Sequence, residues 1–154
     1  MRQRKGTRGG FSLIELVIVV VIIAIIGAIA IPRMSRGAAG AADSALVGDL
    51  KVLRSAIDLY ASEHGGTFPS TPTTQLVGYT DDAGSVGSKD ATHIYGPYLR
   101  TIPALPVGAT KGNSGIAATA GSGVGWIYDS SLGTIKANTL DTEKDVKLVQ
   151  YNNY

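Results

Sequence analysis

From Leu16 to Ile31 the chain reads LVIVVVIIAIIGAIAI, sixteen residues without a polar side chain. No other feature restricts the fold as strongly. Adding Phe11 to Glu15 gives a 21-residue stretch whose only polar members are Ser12 and Glu15. As a helix this stretch is roughly 31 Å long at ~1.5 Å per residue, close to the ~30 Å hydrocarbon thickness of a bilayer. In lipid a backbone must satisfy its own hydrogen bonds, so the many β-branched residues do not turn the reading toward a strand. Four cations, Arg2, Arg4, Lys5 and Arg8, precede the run and none lies inside it. That asymmetry predicts a single span with its N-terminus in the cytoplasm. Arg33 and Arg36 weaken the asymmetry without cancelling it. The remaining 10 of the 14 cations face 12 acids, so the net charge of +2 belongs to the N-terminal tip. The body carries no basic footprint for nucleic acid.

Three readings fit the apolar stretch. An ordinary secretory signal peptide has the same basic start and apolar middle, with a small-x-small site at Ala28-Ile29-Ala30. A plain single-span anchor is the second. The third is an anchor cut before the apolar run, at Gly9-Gly10-Phe11. Glu15 bears on the choice, because a carboxylate in mid-bilayer costs a few kcal/mol. A cut after Gly10 would place the Phe11 α-amino group one helical turn from Glu15. Opposite charges ~4 Å apart attract by about 4 kcal/mol at an effective dielectric of ~20, enough to offset that cost. The residues alone leave all three open.

The run Lys5-Gly6-Thr7-Arg8-Gly9-Gly10-Phe11-Ser12-Leu13-Ile14-Glu15-Leu16-Val17-Ile18-Val19 resembles the class III signal of type IV pilins and type II secretion pseudopilins. In that family a prepilin peptidase cuts after the Gly that precedes Phe and methylates the new amine. The resemblance implies that residues 1–10 are a leader, Gly10 precedes the cut, and Phe11 is the methylated terminus. It implies that Glu15 neutralises the terminal amine of a neighbouring subunit during assembly. Pro32 stands where family members often carry a helix-kinking Pro. The likeness is specific over about the first 32 residues and loose over the next 40. Beyond them it is one of layout only.

After Pro32 the hydropathy falls but the helical period persists. Ala38, Ala41, Ala42 and Ala45 lead into a stripe of Leu46, Leu50, Leu53, Ile57, Tyr60 and Ala61, with Asp43, Asp49, Lys51, Arg54, Asp58 and Ser62 mainly off it. Gly65-Gly66 then end the helix. The pattern predicts one helix from Phe11 to about His64, bent near Pro32 and roughly 80 Å long. Gly37, Gly40 and Gly48 are poor helix formers, explained either by close packing of small residues or by local melting on extraction from the bilayer. From Thr67 to Gly96 the Pro, Gly, Ser and Thr content predicts a loop region with little regular structure. Gly125–Tyr128 and Thr134–Ala137 flank a Gly-containing connection and predict a hairpin, with Val146 to Tyr151 as a third strand. Gly96–Leu99, Pro103 and Pro106 read as a packed segment leading into the sheet. The expected fold class is α+β: a long helix, half transmembrane and half amphipathic, against a small antiparallel sheet with long loops. Its expected divisions are 1–10 leader, 11–32 transmembrane and filament-core helix, and 33–154 head.

No constellation for catalysis stands out. His64 and His93 are the only histidines and lack metal-ligand spacing, which assigns them surface or capping roles. Gly108–Ser114 has Lys111-Gly112 where a phosphate-binding loop needs Gly-Lys. Gly121–Gly125 lacks dinucleotide spacing and precedes a strand. With Cys absent, disulfide scaffolds, thiolate zinc sites and Cys nucleophiles are excluded. Acidic residues at 81–82 and 141–145 make calcium conceivable. Major pseudopilins commonly bind it through a C-terminal loop, but the Asp-Pro-Trp-Gly segment that usually precedes that loop is missing. No cofactor is expected and no metal ligand assigned.

The expected function is structural. The resemblance implies a bacterial inner-membrane protein whose head is periplasmic or extracellular once the filament forms. The partners it implies are prepilin peptidase, identical or related subunits, the lipid bilayer, and a membrane assembly platform with its ATPase. A pseudopilus is favoured over a pilus by the short chain, the missing C-terminal Cys pair and the Tyr60–Pro69 helix exit. The rival is a soluble binding domain released after Ala30; an enzyme ranks third.

Overall fold

The computed structural model describes residues 10–154, except the side chains of Pro32, Met34, Ser35 and Arg36. The basic tip and most of the leader therefore lie outside the described residues, as does the Pro32 side chain. The chain divides into two compact units, Met1–Ala38 and Ala39–Tyr154. Helix α1 runs from Leu13 to Glu63 and contributes to both. Within the first unit, Leu13–Ile31 has a mean hydropathy of 3.2 and no buried residue. It is long and apolar enough to cross a membrane.

In the second unit the expected stripe faces the core. Leu46, Leu50, Leu53, Ile57, Tyr60 and Ala61 are buried, joined by Ala56 and His64. The alanines that lead into it are less engaged: Ala42 is half-buried, and Ala38, Ala41 and Ala45 are exposed. Gly65 and Gly66 adopt φ of 63° and 86°, and the Gly66 N–H donates to the Ala61 carbonyl at 2.7 Å. Only a residue without Cβ takes these angles cheaply, which is why the helix stops here.

The head is α+β, but its sheets differ from the single antiparallel one expected. Residues 67–96 hold little regular structure, as expected: the short helix α2 (Pro72–Gln75) and a hairpin of β1 (Tyr79–Thr80) and β2 (Val86–Gly87). A buried glutamine organises it: Gln75 Nε2 donates to the Gly84 carbonyl at 2.8 Å, and its Oε1 accepts from the Thr71 N–H at 2.7 Å. The expected second hairpin forms between β4 (Val124–Asp129) and β5 (Thr134–Ala137). Its third strand is β3 (Gly115–Ala117), parallel to β4, so the order is β3-β4-β5 and the sheet is mixed. Parallel pairing usually needs a long crossover. Here β3 is only three residues long, and residues 118–123 suffice to return to its start.

Val146 to Tyr151 is not a strand. Asp145 accepts the N–H groups of Lys147 and Val149 at 2.8 and 2.7 Å, and Leu148 takes a φ of 67°. An Asp side chain that satisfies its own following backbone competes directly with a strand ladder. Only an isolated bridge, Lys144 to Gln150, and a 3-10 turn at Tyr151–Asn153 remain. The segment is instead tied to α1. Asp43 accepts from the Val146 N–H at 3.0 Å and the Tyr151 hydroxyl at 2.8 Å, while Arg54 donates to the carbonyls of Ile135 and Tyr154. Gly96–Leu99 packs as expected, with the Tyr98 and Leu99 N–H groups both on the Leu76 carbonyl.

Four aspartates close turns in the head. Asp81 is held below the usual carboxylate range first by the Ser85 N–H, Asp90 by the His93 N–H, Asp129 by the Ser131 hydroxyl and Asp145 by the Tyr154 hydroxyl. A carboxylate whose folded pKa is depressed contributes stability that is complete above its unfolded value, about 4, and is lost as pH falls through the folded value. The thermal midpoint of the detergent-solubilised chain is therefore expected to stay level from neutral pH to about 5 and to fall below about 4. Asp145→Asn should lower the midpoint at neutral pH and make the acid fall shallower. Melting curves across that range check both.

Candidate functional site

The candidate site is the start of α1. Ser12 precedes the first helical residue and Glu15 stands three positions later, so Ser12-Leu13-Ile14-Glu15 is a capping-box spacing. The Glu15 carboxylate accepts the Ser12 N–H at 3.2 Å, and the Leu16 N–H donates to the Ser12 carbonyl at 3.2 Å. A carboxylate at this end also faces the positive pole of the helix dipole. Glu15 thus has a local role that the charge-pair argument missed, although the S-x-x-E spacing was there to be read.

Gly10 and Phe11 lie just outside the helix, both exposed, Phe11 to 87%. A Cβ built on Gly10 meets no atom within 4 Å. Among the described residues nothing requires glycine there. The same openness holds at Gly27, Gly37, Gly40 and Gly48. Among the described residues no side chain packs closely against these glycines. Leu13, Ile14 and Leu16 to Val21 are all exposed, so the apolar surface of this unit has no partner within the described residues.

Contacts within the head hold both histidines. His64 is buried rather than at the surface, stacked on Tyr60 with ring centroids 3.9 Å apart. Its Nδ1 lies 2.8 Å from the Tyr60 carbonyl, and its Nε2 lies 3.1 Å from Thr80 Oγ1 and 3.0 Å from the Asp81 carbonyl. It ties the end of α1 to β1. His93 sits 3.0 Å from Asp90 on a loop. Tyr98 donates to Glu63 at 2.7 Å, and burial together with that carboxylate raises its phenol well above the usual range.

Among the described residues no three His, Cys, Asp or Glu side chains are grouped to hold a metal ion. The acidic C-terminal segment uses its carboxylates internally. Asp141 accepts from Asn152 at 2.6 Å, and Glu143 accepts the N–H groups of Ala109 and Leu140 at 2.6 and 2.8 Å. The Lys111-Gly112 stretch is a turn, with the Lys111 N–H on the Gly108 carbonyl and the Gly112 N–H on the Leu105 carbonyl.

No curated protein and no solved structure matches this chain. A family model does, over residues 5–31, and its match ends at Ile31, before the head. It covers Gly10, Phe11, the Ser12–Glu15 cap and the exposed apolar helix together. The chain therefore carries the prokaryotic N-terminal methylation motif, which is typical of type IV pilins and pseudopilins.

Proposed function

We propose that this protein is a structural filament subunit, cut by prepilin peptidase between Gly10 and Phe11, methylated on Phe11 and polymerised through its N-terminal helix. The observation that carries this reading is the methylation motif over residues 5–31, which includes an apolar helical stretch with no buried residue. Such a surface needs lipid before assembly and other helices after it. Before assembly the subunit spans the inner membrane with its N-terminus cytoplasmic, and an assembly platform with its ATPase extracts it. Pro32 and the open glycines at 27, 37 and 40 are the places where the helix would yield on extraction.

Among such filaments we favour the type II secretion pseudopilus. The supporting features are the absence of Cys from these 154 residues and the helix exit through Tyr60, Gly65-Gly66 and Phe68-Pro69. Intact-mass analysis of the membrane fraction tests the processing. Loss of residues 1–10 with one added methyl is expected; loss of residues 1–30 would instead mark a secreted domain. Gly10→Leu should accumulate as full-length protein in the membrane, because a peptidase cleft that admits an extended backbone closely has no room for the side chain. Normal maturation of Gly10→Leu, read on an immunoblot, would remove the proposed site.

A further inference from the structure

The head carries two unlike surfaces on opposite flanks of α1, and we propose that the Leu148 turn of one copy docks into the groove at Val52–Leu59 of the next. The proposal rests on the filament reading and names the contact through which neighbouring heads engage.

The groove, about 430 Å³, is lined by Val52, Ser55, Ala56 and Leu59 of α1 with Tyr98 and Leu99 as its other wall. Those helix positions follow the i, i+3, i+4, i+7 spacing of a contact face. Ala56 is the buried floor, while Val52 and Leu59 are each 50% exposed and have no covering partner among the described residues. The knob is Leu148, 77% exposed at a φ of 67°. A leucine held in the left-handed region by its neighbours is uncommon, and such conformations persist only where the surroundings impose them. Here the Asp145 carboxylate, bonded to the Lys147 and Val149 N–H groups, imposes it. The turn thus presents a large apolar side chain to solvent on a rigid base.

Position and charge identify the occupant as a second copy. At 3.6 residues per turn, Arg54 lies about 20° around α1 from Asp43, and these two hold the C-terminal segment. Val52, Ala56 and Leu59 lie about 140–180° away from Asp43, on the other flank. One chain therefore cannot bring its own knob to its own groove. Two different patches that meet between copies make a heterologous contact, which extends into a filament rather than closing as a dimer. Lys147 stands beside the knob. Glu63, one turn beyond Leu59, stands at one end of the groove and Lys51 at the other. Attraction at Glu63 and repulsion at Lys51 give the docked turn one orientation.

The chain has no cysteine, so engineered ones report cleanly. Full-length Ser55→Cys/Leu148→Cys, expressed in its membrane and oxidised with copper–phenanthroline, should give a ladder of disulfide-linked multimers well beyond dimer. Leu148→Cys alone should stay monomeric; dimers from it would mean a self-complementary contact and overturn the proposal. Lys147→Glu added to the double variant should cut the ladder about tenfold, and adding Glu63→Lys should restore it. Filaments in the sheared fraction without a ladder overturn the docking and leave the filament reading standing. Absence of both filaments and ladder overturns the two together.

Discussion

Glu15→Ala is expected to be cleaved and inserted normally and to form no filaments. Removing a carboxylate makes the anchor more apolar, so insertion becomes easier. What is lost is the partner for the Phe11 amine, which assembly would carry from the wet membrane surface into a packed bundle of helices. An unpaired charge there costs several kcal/mol, and 4 kcal/mol is roughly a thousandfold in assembly. The Ser12 N–H to Glu15 bond adds a competing explanation, since losing a helix cap costs about 1 kcal/mol. Glu15→Gln separates the two. Its amide oxygen can still accept the Ser12 N–H, but it cannot neutralise the amine. Equal defects in Ala and Gln assign the effect to charge. A defect in Ala alone assigns it to the cap, and wild-type filaments from both would sink the charge-pair mechanism. Sheared filaments are quantified against mature subunit left in the membrane.

Trp126→Ala is expected to unfold the head while leaving N-terminal processing untouched. Trp126 is fully buried in β4, opposite Ala137 of β5 and Ile116 of β3, and its Nε1 donates to the Pro103 carbonyl at 2.8 Å. It joins the mixed sheet to the segment that precedes it. Truncation removes the indole, leaves a cavity and strips a half-buried carbonyl of its donor. Trp-to-Ala changes in cores cost about 3–5 kcal/mol, a large share of the ~5–15 kcal/mol that holds an ordinary domain together. Trp126→Phe keeps most of the volume but still orphans Pro103, for a loss of about 1–3 kcal/mol. Thermal melts of the purified, detergent-solubilised chains should rank wild type above Phe above Ala. Mass analysis should show all three cut after Gly10. A wild-type midpoint in Trp126→Ala would mean that the core does not depend on this residue.

The apolar run from Leu16 to Ile31 and the stripe from Leu46 to Ala61 were legible because each rests on one dominant physical effect repeated along the chain. Lipid-compatible length sets the first and a 3.6-residue period the second, and neither needs a distant partner. The Gly65-Gly66 stop and the β4–β5 hairpin are equally local: a backbone angle in one case, two alternating runs joined by a short turn in the other. Tertiary structure decided the rest. A three-residue strand such as β3 carries no period, and only its pairing with Val124–Ile127 makes it a strand. Val146–Tyr151 has the composition of a strand, but Asp145 folds its backbone and Asp43 fastens it to the helix from about a hundred residues away. Asp43 and Arg54 look like solvated charges on a polar face, and His64 looks like a surface helix end. Their roles arise from groups far away in the chain. The N-terminal signal belongs with what sequence alone determines, because its chemistry lies in contiguous residues. The arrangement of the head does not, because it is settled by partners outside each segment, from about ten residues away for β3 and β4 to about a hundred for Asp43 and Val146.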